Sequence, residues 1–420
     1  MNLREKLKRD LDESDSRLRE LVLTLNDEQL AVPYNPGINP PIWEMGHSAF
    51  FFERFLLRDL YGDDPRMPGN DEMWDSFEIP HKERWRASVV PGKEVAIEYY
   101  NRVIYECRAR LDSPEELTPD EEYLFQYVIA HQNMHVESLI WCRQTLGYPA
   151  PAFVEFWEDE ENPRKDRGDV EISGGTYYIG KPRQNGREEM AADFCFDNEK
   201  PGFEMEIQPF RISRTLVSNA EYLEFVEDGG YENPDFWSFG GKFWLRESEA
   251  VAPEYWEKRD GEWWVRRFDQ WEKLRPDAPV MHVTFREANA FCQWAGRRLP
   301  TEFEWEAAFG RGIANLEGCD LAGRFCGTAP VDALSENDCE SGCRQMIGSA
   351  WEWTSSQYLP FAGFEVDMYA YMSTLQFATH NTTKGGSWAT APSLIRPTYR
   401  QAIYPNRRDM FTGIRTCALG

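Results

Sequence analysis

Two histidines four residues apart, His131 and His135, stand in the run HQNMHVE at 131–137. Residues i and i+4 of a helix share one face, so both imidazoles can reach the same ion. Alone, such a pair is more often two ordinary core or surface histidines. Glu137 follows His135 by two residues, about 200° round a helix of 3.6 residues per turn. It is therefore a poor third ligand and a better supporting group. His47 stands in WEMGHSAFFFERF, where a lone histidine among aromatics is more often a satisfied core residue. The chain holds six histidines, and three of them fall in these two segments. Three neutral imidazoles with open positions suit iron(II) or zinc, and spacing does not choose between them.

For these side chains to meet, their segments must face each other. Residues 1–148 read as helical. Leu3, Leu7, Leu11, Leu18, Leu21 and Leu25 recur at three-, four- and seven-residue spacings, which is one apolar stripe on a helix. After the turn-rich stretch VPYNPGINPP, helices are predicted over residues 42–61, 93–111 and 119–146, with Ser113, Pro114 and Thr118 punctuating the last gap. Four long helices with one long connection predict a four-helix bundle, a fold that commonly holds metals between facing helices. His47 then sits on the second helix and the other two histidines on the fourth. Residues 149–169, PAPAFVEFWEDEENPRKDRGD, mix Pro with dense charge and read as a linker. From residue 170 the texture changes to short Gly- and aromatic-rich strands and turns, with two short helices predicted near 219–228 and 285–295. No internal repeat is present.

Composition agrees with this division. A chain of 420 residues suits two or three domains, and 41% hydrophobic residues can build a large core. With 16 Trp, 18 Tyr and 26 Phe, aromatic-lined pockets are expected rather than disorder. The formal net charge of -26 repels nucleic acid and anionic membranes and serves solubility. No window approaches 18 consecutive apolar residues, and the charged N-terminus MNLREKLKRDLDESDSRL lacks a secretory apolar region. Nine cysteines, an odd number with no leader, point to reduced thiols and a cytoplasmic setting. Cys339 and Cys343 lie close in ENDCESGC, but one such pair is weak evidence for a metal or a disulfide.

GHSAFFFERF and HQNMHVE resemble the two iron-ligand segments of the ergothioneine-type sulfoxide synthases. Those enzymes carry an N-terminal DinB-like bundle with an HxxxHxE motif and a second domain like the formylglycine-generating enzymes, a variant of the C-type lectin fold. The later part of this chain is similar to that domain in ISGGTYYIG, FDNEKPGFEMEI, SNAEYLEFVEDGGY, APVMHVTFREANAFCQWAGRRLPTEFEWEAA, SAWEWTSSQY, KGGSW and FTGIRTCAL. The resemblance implies an α+β chain of two domains: a DinB-like four-helix bundle over 1–148, a linker over 149–169, and a formylglycine-generating-enzyme-like domain over 170–420. Within the family, INPPIWEMGH, DEMWDSFEIPHKERW, GEWWVRRFDQWEKL and RPTYRQAIYPNRRDMFTGIRTC look similar to the selenoneine synthases, which join a selenosugar to hercynine, trimethylhistidine.

The resemblance also implies a mechanism. His47, His131 and His135 would hold Fe(2+), whose other positions take a thiolate or selenolate, the imidazole of a histidine derivative, and O2. The product carries a new C–S or C–Se bond. A tyrosine near the metal would deliver a proton or electron; by segment match the candidates are Tyr369 and Tyr371, with Tyr369 the closer. A carboxylate on the chalcogen donor would need a guanidinium clamp, for which Arg84, Arg86, Arg407 and Arg408 are the candidates. Two segments depart from the relatives. Met134 stands where many have a Gln contacting the imidazole substrate. Gln401 and Ala402 stand where relatives have Asn and an aromatic residue suited to a trimethylammonium group. Gln401 can replace the Asn hydrogen bond, but Ala402 has no π face, so Tyr399, Tyr404 or Phe50 would have to supply one. Three alternatives are a formylglycine-generating-type oxidase using Cys pairs and copper, a zinc-dependent DinB-like thiol transferase, and a non-catalytic lectin-like binding module. The intact bundle with its three histidines argues against the first and third, and the fused second domain against the second.

Overall fold

The computed structural model describes residues 2–158, 167–310, 312, 316–370 and 373–420. The chain divides into two compact units: Met1–Ala152 with Gln184–Phe194, and Phe153–Arg183 with Cys195–Gly420.

The first unit is helical. Helix α1 (Leu3–Leu23) buries Leu7, Leu11, Leu18 and Leu21, the predicted stripe. A short α2 (Asp27–Leu30) follows, and then α3 (Pro41–Phe52), which opens with Pro41 in its first turn. Nearly every residue of α3 is buried. The helix predicted over 42–61 does not run on as one regular element. After Phe52 the chain widens into a π-type segment, Glu53–Arg58. Glu53 is fully buried there and accepts hydrogen bonds from the Asn70 side chain at 2.8 Å, the Arg66 backbone N–H at 3.0 Å and the Tyr99 hydroxyl. Asn70 opens α4 (Asn70–Trp74), so this buried carboxylate fixes α4 beside α3. Helices α5 (Lys93–Asp112) and α6 (Pro119–Leu146) complete the bundle. Helix α6 starts at a Thr118/Glu121 capping box with Pro119 at its first position, and ends at Gly147, whose φ of +66° is the left-handed stop that glycine adopts freely. It packs on α1 and α3, and α3 packs on α5.

The segment 184–194 also belongs to this unit, and no periodicity in the sequence assigned it there. Its helix α7 (Arg187–Ala192) lies on α6: Gln126 Nε2 donates to the Ala191 carbonyl at 2.9 Å, and Arg187 pairs with Asp120 and covers the Tyr123 ring. Phe194 packs edge-on against Tyr127.

The second unit is built of short strands and short helices. Strands β1 (Asp169–Ile172), β2 (Gly175–Ile179), β3 (Phe203–Ile207) and β4 (Phe210–Ser213) come first, then helices α8 (Asn219–Glu227) and α9 (Phe239–Ser248). A meander follows, β5 (Trp256–Arg259), β6 (Glu262–Arg267) and β7 (Gln270–Lys273), and after it α10 (Phe285–Trp294), β8 (Arg297–Arg298) and α11 (Glu302–Phe309). The last strands are β9 (Trp351–Gln357), β10 (Asn381–Lys384), β11 (Gln401–Ile403), β12 (Thr412–Gly413) and β13 (Cys417–Ala418). Two four-stranded sheets, β1-β4-β13-β8 and β11-β10-β9-β12, organise the unit. The two predicted short helices are α8 and α10; α9 and α11 are additional. The core holds the buried ion pairs Arg415–Glu352 at 2.8 Å and Arg400–Glu302 at 2.6 Å. All nine cysteines are free and buried. Among the described residues no helix is long and apolar enough to cross a membrane.

Candidate metal centre

The bundle brings His47 of α3 together with His131 and His135 of α6. One ligand nitrogen from each lies within 4.8 Å of the others. The Nε2 atoms of His131 and His135 are 3.1 Å apart. Two nitrogens each about 2.1 Å from one ion, seen at 90–109°, stand about 3.0–3.4 Å apart, so the spacing matches two ligands of one metal. His47 and His131 are buried, while the His135 side chain stays 15% exposed, so the cluster opens at His135. Burial, and then the charge of nearby His135, push the pKa of His47 and His131 well below the ordinary 6.5. Both imidazoles are therefore neutral, as metal ligation requires.

The outer nitrogens decide where the lone pairs point. His47 Nδ1 faces the Trp74 carbonyl oxygen at 2.5 Å. A carbonyl only accepts, so this nitrogen carries the hydrogen and Nε2 is left with its lone pair. His135 Nδ1 faces the carboxylate of Glu44. Burial alone would raise the Glu44 pKa. The charge of His135 and hydrogen bonds from His135, Asn39 and Ser138 outweigh it and hold the pKa at about 2. Glu44 is thus an ionised acceptor for the Nδ1 hydrogen of His135, so in the neutral, ligating form of that ring the lone pair is on Nε2, facing inward. His131 Nδ1 is buried with no hydrogen-bond partner, and its ring stacks on Phe51 with centroids 3.4 Å apart. Its polar contact lies on the Nε2 side, facing His135. Inward lone pairs held this close call for a cation among them, and the three-nitrogen set with a half-open side fits iron(II) or zinc.

Glu44 is the functional group that the residue pattern did not single out. The signal was present, since Glu44 lies three residues before His47, and Glu-x-x-His is a spacing that metal-binding bundles use. Trp74 is the other unforeseen member, 27 residues from its histidine. Its ring lies so close to α3 that a Cβ on Gly46 would sit 2.4 Å from it. Glu137 is buried on α6 and is not one of the three residues that converge.

Comparison with known proteins agrees with this architecture. Residues 10–139 match the DinB superfamily, and residues 155–418 match the sulfatase-modifying factor enzyme 1-like domain. The hercynine oxygenase of Mycolicibacterium smegmatis is 34% identical over 94% of this chain and 96% of its own length. The chain belongs to the ergothioneine-type sulfoxide synthase family. The hercynine oxygenase of Mycobacterium tuberculosis is 31% identical over 95% of this chain and 96% of its own length. The formylglycine-generating enzyme of Streptomyces coelicolor is 30% identical over 51% of this chain and 77% of its own.

The remaining expected site residues of this family member are placed as follows. In the first unit, Met134 is half-buried on α6. Arg84 stacks over the Trp43 ring at 4.0 Å and donates to Asn39 Oδ1 at 2.8 Å and to the Ser76 carbonyl at 3.2 Å. The Arg86 side chain is 61% exposed and pairs with Glu83. In the second unit, Gln401 and Ala402 lie on β11 opposite Thr383 and Thr382 of β10, and Gln401 Oε1 accepts from the Tyr399 hydroxyl at 3.0 Å. Arg407 pairs with Asp409 at 2.5 Å, and Arg408 pairs with Glu254 at 2.5 Å. Tyr369 is half-buried, and Tyr371 lies outside the described residues. Of the aromatics named as substitutes for one at Ala402, Phe50 and Tyr399 are buried and Tyr404 is exposed.

Proposed function

We propose that this protein is an O2-dependent oxidoreductase that holds one iron(II) on His47, His131 and His135. It joins the sulfur or selenium of a thiol or selenol donor to the imidazole of a histidine derivative such as hercynine. The observation that carries this reading is the convergence of three imidazoles with inward lone pairs, in a chain matching hercynine oxygenases over almost its whole length. When bound, iron(II) would supply redox capacity and coordination positions for O2 and an anionic chalcogen donor.

The protein's own share of the chemistry follows from its residues. His47 and His131 are kept neutral by burial, so both are ready to ligate near neutral pH. Phe51, Trp43 and Trp74 keep water from the buried side of the cluster, which strengthens electrostatic contacts there. The partly exposed His135 marks the side from which substrates enter. Met134 puts a thioether where relatives carry a glutamine, and contacts the imidazole substrate through van der Waals packing alone. Arg86 exchanges Glu83 for the donor carboxylate. By the family resemblance, Tyr369 is the candidate proton or electron donor and Gln401 the candidate for a substrate hydrogen bond. A formylglycine-generating oxidase has less support, since the Streptomyces coelicolor enzyme of that name covers 51% of this chain, against 94% for the hercynine oxygenase of Mycolicibacterium smegmatis.

The test is anaerobic iron loading, followed by O2 with hercynine and a panel of thiol and selenol donors. The expected result is one iron per chain, O2 uptake that needs both substrates, and a coupled product by mass spectrometry. Iron-loaded protein that consumes no O2 with any donor and acceptor pair would overturn the reading.

A further inference from the structure

The groups behind the three histidines differ from one another. His47 bonds to a neutral carbonyl, His131 to nothing at Nδ1, and His135 to a carboxylate. That carboxylate is itself fully committed. Glu44 is 1% exposed; its Oε2 meets His135, while Oε1 accepts from Asn39 Nδ2 at 2.8 Å and Ser138 Oγ at 2.9 Å. Asn39 passes the connection on, because its Oδ1 accepts from Arg84 Nη1 at 2.8 Å. The Arg84 guanidinium lies flat on Trp43 at 4.0 Å, and Trp43 stacks on His47 at 4.6 Å with the planes 14° apart. The indole is pinned in turn, with Nε1 donating to the Met73 carbonyl at 2.9 Å. A continuous path therefore runs from Nδ1 of His135 through Glu44, Asn39, Arg84 and Trp43 to the face of His47.

We infer that Glu44, Asn39 and Arg84 are positioning residues that form one clamp outside the metal centre. The clamp sets the ring plane of two of the three histidines, and Glu44 makes His135 the strongest electron donor of the three. An imidazole that donates to a carboxylate carries more negative charge on its other nitrogen than one that donates to a carbonyl. Arg84 is thereby given a task different from clamping a substrate carboxylate. A planar fork is needed to bond Asn39 and the Ser76 carbonyl while stacking on an indole, and lysine cannot reproduce it. The inference rests on the reading of the three histidines as metal ligands.

Cobalt(II), bound by the apoprotein without O2 or substrates, tests the clamp through its visible absorption and a competing chelator. Glu44→Gln keeps the volume and the contacts to Asn39 and Ser138 but removes the charge. It is expected to weaken cobalt by about 10–100-fold and to move the absorption bands, at an unchanged melting temperature. Arg84→Lys should weaken cobalt by a smaller factor. In the Glu44→Gln background it should add almost nothing, because the path is already broken. Wild-type affinity and spectrum in folded Glu44→Gln would overturn the inference. Should that variant not fold, Asn39→Ala, at a half-buried loop position, decides: weaker cobalt binding supports the clamp, and wild-type binding refutes it. A wild-type protein that takes up no cobalt would instead refute the metal reading itself.

Discussion

Gly46→Ala separates the packing of the bundle from the function of its histidine cluster. An added Cβ would lie 2.4, 2.5 and 2.6 Å from three ring carbons of Trp74, a side chain with no exposure and therefore little room to retreat. Forcing one methyl into a filled core costs about 1–3 kcal/mol. Replacing glycine by alanine inside a helix returns about 1 kcal/mol through propensity. The net loss is about 0–2 kcal/mol, which lowers the melting temperature of a unit this size by at most about 8 °C. The effect on metal should be larger than this suggests. Trp74 is displaced along with its own carbonyl, which is the partner of His47 Nδ1 at 2.5 Å. Losing such an outer hydrogen bond costs about 10–100-fold in metal affinity. Calorimetric or circular-dichroism melts, set beside chelator-competition titrations of iron(II) under anaerobic conditions, measure the two quantities. A Gly46→Ala protein with weakened folding but wild-type iron affinity would show that Trp74 packs the helix without positioning the ligand.

Three further outcomes are expected. Single His47→Ala, His131→Ala and His135→Ala proteins should each lose iron and turnover together, and full iron content in any of them would remove that residue from the site. Tyr369→Phe should lower turnover at unchanged iron content; unchanged turnover would eliminate it as the donor. His282, buried in the second unit, has its pKa pushed down from 6.5 to about 3, by burial first and then by Arg267. The unfolded chain takes up a proton near 6.5 and the folded chain only near 3, so stability is lost as pH falls through that window, by up to about 1.4 kcal/mol per pH unit. His282→Asn tolerates the local φ of +61° and should flatten this acid limb of the melting profile, whereas an unchanged limb would assign it to other groups.

Much of the site was legible because it depends on local periodicity. The 3.6-residue repeat places His131 and His135 on one face whatever surrounds them, and the same geometry turns Glu137 away. The leucine stripe of α1, the Thr118–Glu121 box and the Gly147 stop needed only neighbours in sequence to define their helices. The predicted bundle let His47 meet the other two, and the resemblance of nearly the whole chain to one family implied that the three are a ligand set. What lies behind the ligands was decided by packing between elements distant in sequence. Trp74 reaches His47 across 27 residues, and Glu44 reaches His135 across 91. The same holds for Arg84, which the fold lays on Trp43 and bonds to Asn39 across 45 residues. Helix α7, separated from the rest of the bundle by the first strands of the second unit, joins α6 through contacts that leave no repeat in the sequence. Periodicity reports which face a side chain occupies; which partner meets that face is set only when the chain closes.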